Sequence, residues 1–239
     1  MNAGFMPEGL PDFSDGFDIY AGWEITRKGD NSLTPEQNRL LAYGAPLFLY
    51  NDDNVDSLES TAGTDTLKEM LEEWWEVTDR KSALETISWL LNEGQHAGAD
   101  PALAEIRQRG IEAITEEEKA DEDSKIGDAF TIAEFVMGVN ETTEADLPET
   151  VLAWDLVRAV NMARWAFICG YINEDEMWEA IRTTAGIAKD PSIRGKNTAT
   201  ALPWDAEYGR GETDDYETAD EVVGALLNKE DSPWKAIEW

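Results

Sequence analysis

The stretch WDLVRAVNMARWAFICGYINEDEMW, Trp154 to Trp178, decides the fold. Plotted at about 100° per residue, the segment from Leu152 to Cys169 is apolar on nearly every side. Trp154, Trp165 and Cys169 share one face, and Leu156, Val160, Ala163 and Phe167 occupy the opposite one. A helix that is apolar all round belongs at the centre of a bundle, and Ala159, Ala163 and Ala166 let neighbours approach closely. Gly170 is placed to end this helix in a left-handed cap, with Tyr171 packing back toward Trp165. Asn173 then caps a second helix, Glu176 answers it three residues on, and Ile172 is positioned to staple to Met177. Glu174 and Asp175 add acid at the positive end of that helix dipole. The stretch predicts a tight helix–turn–helix hairpin at the middle of an all-α protein.

Polar residues interrupt this apolar helix. Asp155 and Arg158 are three apart, as are Asn161 and Arg164, close enough for each pair to meet along the helix. Buried charges cost several kcal/mol unless they are paired or hydrogen-bonded. Two readings follow. In the first, Asp155–Arg158 is a buried pair that fixes register, and Arg164 binds the carbonyls of a helix C-terminus. In the second, Asp155, Arg158, Asn161 and Arg164 form a ligand site in which the arginines hold a carboxylate or phosphate. Structural ion-pair networks and functional sites share this pattern.

The rest of the chain is helical from residue 33 onward. Thr34-Pro35-Glu36-Gln37 combines an N-cap, a proline at the first helical position and a capping-box glutamine. That helix should run to Leu49 and break at NDDN. Leu67, Met70, Leu71, Trp74 and Trp75 recur with helical period. A second helix, capped by Thr78 or Asp79, carries Ala83, Leu84, Ile87, Leu90 and Leu91 and stops at Gly94. So short a connection predicts that these two pack as an antiparallel hairpin. A weaker helix follows Pro101, and EEEKADED (116–123) is an acidic surface segment. Ile126, Phe130, Ala133, Val136 and Met137 mark another helix. Asp146 and Glu149 with Pro148 are expected to start the long helix at 148, and Thr218 with Glu221 to cap the last one. Residues 1–32 form an irregular arm, with a short strand possible at DIYAGWEIT. The architecture expected is a single helical domain over 33–239, a bundle of about seven or eight helices.

Composition bounds the chemistry. The chain has 239 residues, with 51 acidic against 19 basic ones, a formal charge of −32. Mean hydropathy is −0.47, no apolar run reaches the ~18 residues of a membrane span, and the N-terminus does not read as a secretory signal. The cytoplasm is the expected compartment. Such a charge disfavours nucleic acid and anionic membranes and draws basic partners. The single cysteine, Cys169, excludes a disulfide framework or a cysteine metal cage. The one histidine, His96, reads as a partner of a helix C-terminal dipole in the turn after Gly94. There is no phosphate loop, dinucleotide fingerprint or metalloprotease motif, so no catalytic residue, metal or cofactor is expected. Most tryptophans (Trp74, Trp89, Trp154, Trp165, Trp178) should lie in the core, and Trp204, Trp234 and Trp239 should anchor irregular segments.

Several stretches together resemble a known family. They are LTPEQNRLLAYGA (33–45), WWEVTDRKSALETISWLLNEG (74–94), AWDLVRAVNMARWAFICGYINEDEMWEA (153–180), PWDAEYGRG (203–211) and LLNKEDSPWKAIEW (226–239). In this order they are similar to the bacterial family typified by YbeU and YbeR, the domain of unknown function numbered 1266. The chain departs from the family pattern where Gln95 separates Glu93-Gly94 from His96, and where Pro203-Trp204 is followed by the acidic run ETDDYETADE. The resemblance implies a bacterial, cytosolic, mostly helical protein, and no catalytic residues to transfer.

Three functional classes are compatible with the residues. The leading one is a non-catalytic acidic interaction factor that masks a basic partner, concretely an immunity protein against a toxin or nuclease. The second is an enzyme or small-anion-binding protein using Asp155, Arg158, Asn161 and Arg164. The third is a soluble scaffold with an acidic surface.

Overall fold

The structure, a computed structural model of the chain, describes residues 22–121, 124–140, 143–190 and 213–237. Those residues form α-helices joined by short 3-10 turns, with no strand among them. Seven of the helices have twelve residues or more.

Thr34 opens α1 (Pro35–Leu41) through the reciprocal capping box with Gln37. A 3-10 turn at Ala42–Gly44 separates it from α2 (Ala45–Tyr50), so the helix expected to run unbroken to Leu49 is bent in the middle. Gly44 sits where the turn touches the central helix. A Cβ there would lie 2.7 Å from Val160 Cγ1, closer than carbon atoms pack. After an irregular loop come α3 (Thr64–Trp75) and α4 (Arg80–Asn92), the latter capped by Asp79, whose carboxylate accepts from Ser82 N at 2.8 Å. The antiparallel packing of α3 on α4 does not form. The apolar face of α4 (Ala83, Ile87, Leu90) is taken by the central helix instead, and Glu76, left-handed at φ 54°, turns the chain away.

Next, α5 (His96–Arg109) begins five residues ahead of Pro101 rather than at it. Then follow α6 (Glu116–Lys119, capped by Thr115), which is the short described helix of the acidic segment, and α7 (Ile126–Asn140). The central helix, α8, spans Leu152–Ile168, four residues later than Pro148 suggests. Gly170 ends the turn after it at φ 76°, with Tyr171 N donating to Ala166 O at 2.9 Å. Asn173 and Glu176 cap α9 (Glu174–Ala188) as their spacing predicts. The last helix, α10 (Thr213–Asn228), starts ahead of Thr218, which is therefore not its cap. Trp234 anchors the segment beyond it, donating from Nε1 to Ala42 O at 2.9 Å.

Among the described residues there are two apolar cores. The larger gathers α1, α2, α3, α4, α8, α9 and α10 around Phe48, Met162 and Ile181. The smaller lies between α5 and α7, around Leu103, Ile106 and Ala133. Helix α8 is buried along its length, including Asp155, Arg158, Asn161 and Arg164. The arm from Gly22 is irregular. Trp23 Nε1 donates to Glu221 at 3.0 Å, and Val55 N donates to Thr26 O at 3.0 Å. The described part of DIYAGWEIT, from residue 22, is not a strand, and its beginning lies outside the described residues, as do PWDAEYGRG and Trp204.

Candidate functional site

The four polar residues of α8 do not converge on one site. They divide into two stations, each fastening a different segment.

At the N-terminal station, Asp155 is fully buried and meets four donors. Gln95 N reaches Oδ1 at 3.1 Å, His96 N reaches Oδ2 at 3.0 Å, and His96 Nδ1 lies 2.7 Å from Oδ2. The fourth donor is the Arg158 guanidinium. Burial pushes the Asp155 carboxyl up. The His96 hydrogen bond, the Arg158 charge and the two backbone N–H groups outweigh that and hold it below the ordinary carboxylate range. The backbone donors are the first N–H groups of α5, which no neighbouring side chain caps, so a carboxylate from α8 completes that helix end. Gly94 makes this approach possible. It is left-handed at φ 46°, and a Cβ on it would collide with the Asp155 carboxylate.

The favour is returned in the opposite direction. Asp100, on α5, accepts from Val151 N, the N-cap residue of α8, at 2.9 Å, and Thr150 Oγ1 accepts from Leu152 N at 3.1 Å. Each helix therefore carries the carboxylate that caps the other. Asp100 sits near Asp155 and in a desolvated position, and burial is the main reason its carboxyl lies above the ordinary range.

The C-terminal station is built on a loop. Arg164, fully buried, donates to Asp53 Oδ2 at 2.9 Å and to Glu59 O at 2.6 Å, and its guanidinium stands 4.6 Å from the centre of the Phe48 ring. Asp53 also accepts from Asn54 N (2.7 Å), Thr61 N (2.8 Å) and Ser60 Oγ (2.8 Å). One buried carboxylate thus organises residues 53–61 and presents itself to the arginine. Desolvation lowers the Arg164 pKa, and the Asp53 charge opposes it.

Asn161 pairs with neither arginine. Its side-chain amide donates to Gly44 O at 3.0 Å and Val157 O at 2.9 Å, tying the 3-10 turn to α8. Arg164 binds a carboxylate and a loop carbonyl rather than helix C-terminal carbonyls, because the loop supplies a full counter-charge. His96 opens α5 rather than closing α4, because Asp155 supplies the acceptor that starts the helix there. Its side chain is 17% exposed. Four participants escaped the sequence reading: Asp53, Asp100, Gly94 as a cradle, and the His96–Asp155 contact. Asp53 sits in NDDN, which reads as a turn, although the Ser and Thr residues that follow are what a carboxylate-centred loop needs.

Both arginines meet aromatic rings as well as carboxylates. Arg158 lies 5.7 Å from the Trp75 ring centre and 5.9 Å from that of Trp154, and the Nε atoms of Arg158 and Arg164 have no hydrogen-bond partner. Aromatic faces replace water around the guanidinium planes.

An all-helical protein whose charged residues knit a central helix to its surroundings is the class these features define. The chain belongs to the family described as Protein of unknown function (DUF1266), whose model matches residues 70–190, about half of it. The matched span holds α4 to α9 and both arginines, and Asp53 lies outside it. No curated protein matches the chain, and no solved structure does.

Proposed function

We propose that this protein is a non-catalytic acidic interaction factor that masks a basic partner, in its concrete form a bacterial, cytoplasmic immunity protein against a toxin or nuclease. One observation carries the reading. Arg158 and Arg164, the cations best suited to hold a ligand, are buried against Asp155 and Asp53 and fasten helices and a loop. What remains for recognition is the surface, on a chain whose formal charge is −32, and a field of that sign accelerates association with basic proteins.

Affinity capture from the native host tests this, run at low and at high salt. A basic protein should be retained at low salt and released at high salt, and its toxicity on expression should be relieved by co-expressing this chain. Absence of any salt-sensitive basic partner would count against the reading.

A further inference from the structure

The tryptophans that the helical period places in the core are not all there. Trp74 is 54% exposed and Trp89 is 38% exposed. Because α3 and α4 do not pack closely, the two rings line an open cleft of about 500 Å³ together with Trp75, Thr86, Glu73, Glu76 and Glu85. Among the described residues, no basic one lines it. Its size lies within the ~300–1,000 Å³ of clefts that hold a ligand, and large exposed aromatics beside one another mark interaction sites. Lys81 pairs with Glu85 at 3.2 Å across one turn of α4, but both groups are exposed, and such a pair yields readily to a better-placed cation.

We infer that the α3–α4 cleft is the docking site for an arginine-bearing segment of the basic partner, with the guanidinium stacked on Trp89 and bonded to Glu73, Glu76 or Glu85. The inference rests on the acidic-interaction reading above and gives it a location. The choice of arginine follows from charge and shape together. Carboxylates beside flat indole faces match a planar, forked, weakly hydrated cation, whereas a lysine ammonium gains the charge without the stacking. The same combination recurs inside the molecule, where Arg164 meets Phe48 and Asp53, and Arg158 meets Trp75, Trp154 and Asp155. Since Trp75 already faces Arg158, the exposed Trp89 ring rather than Trp75 receives the incoming cation.

Isothermal titration of the full chain with N-acetylated, C-amidated hexa-arginine provides the test. Three variants are compared: Trp74→Ala with Trp89→Ala; Glu73→Gln with Glu76→Gln and Glu85→Gln; and a control with the same charge change elsewhere, Glu112→Gln with Glu117→Gln and Glu134→Gln. The tryptophan pair and the cleft triple should each weaken binding by roughly tenfold or more, as loss of an interface anchor does. The control triple should stay within about twofold, since distant surface charges act weakly through salt. Hexa-lysine should bind wild type several-fold more weakly than hexa-arginine. Equal losses in the two glutamine triples, with no effect of the tryptophan pair, would overturn the cleft while leaving a diffuse acidic interaction standing. No binding of hexa-arginine, together with no basic protein captured from the host, would overturn both. Equal binding of the two peptides would overturn the choice of arginine.

Discussion

The two ends of α8 use the same pair of residue types for different jobs. At its C-terminal end, Arg164 and Asp53 close a loop: every partner of the Asp53 carboxylate comes from residues 54–61 or from the arginine, and both side chains are buried. At its N-terminal end, Asp155 and Arg158 belong to an exchange between helices, in which Asp155 caps α5 and Asp100 caps α8. That exchange joins the smaller core to the larger one, and through His96 it reaches the surface. A buried arginine–carboxylate pair is thus not a signature of one role. What it fastens is decided by the donors around the carboxylate.

This difference predicts unequal responses to mutation. Asp53→Ala leaves Arg164 buried with a single carbonyl for a partner and removes the organiser of the loop, so it should cost about 3–5 kcal/mol in urea unfolding. Arg158→Ala should cost less, about 1.5–3 kcal/mol, the worth of one charge-assisted bond, because Asp155 keeps His96 and two backbone donors. Equal losses would mean that the two stations are energetically alike and that the extra donors at Asp155 count for nothing.

The smallest effect belongs to Asp100→Asn. The amide oxygen can still accept from Val151 N, and the variant no longer bears the cost of a desolvated charge. A carboxyl whose folded pKa is raised above its unfolded value of 3.8 destabilises the fold once the pH passes that value. The stability of Asp100→Asn relative to wild type should therefore improve between pH 3 and pH 7, by no more than about 1 kcal/mol. A relative stability that falls over the same range would show that the Val151 bond needs the negative charge.

The sequence carries the local part of this architecture. The capping pairs Thr34–Gln37 and Asn173–Glu176, the glycine stops at 94 and 170, and the apolar circumference of α8 all act within a turn or two of chain, so pattern alone reveals them. It is silent where a helix end is completed from afar. The start of α5 depends on Asp155, 59 residues on from His96, and the start of α8 depends on Asp100, 51 residues back from Val151. Prolines 101 and 148 therefore point to the wrong boundaries. For the same reason Asn161 and Arg164, neighbours on one helix face, turn to different partners. The exposure of Trp74 and Trp89 was equally hidden, since a helical period shows that a residue could face a core and not whether a neighbouring helix comes to cover it.

Whether the buried arginines serve the fold or a ligand is decided most directly by Arg164→Met, followed by thermal denaturation and by hexa-arginine titration at a temperature where the variant is folded. Methionine keeps much of the length and apolar contact but removes both charge-assisted bonds of the guanidinium, to Asp53 and to Glu59 O. The melting temperature should fall by roughly 6–20 °C, from about 3–5 kcal/mol at 2–4 °C per kcal/mol for a chain of this size. Peptide affinity should be unchanged. A melting temperature equal to wild type, with peptide binding abolished, would contradict the structural role of Arg164 and return α8 to candidacy as a binding site.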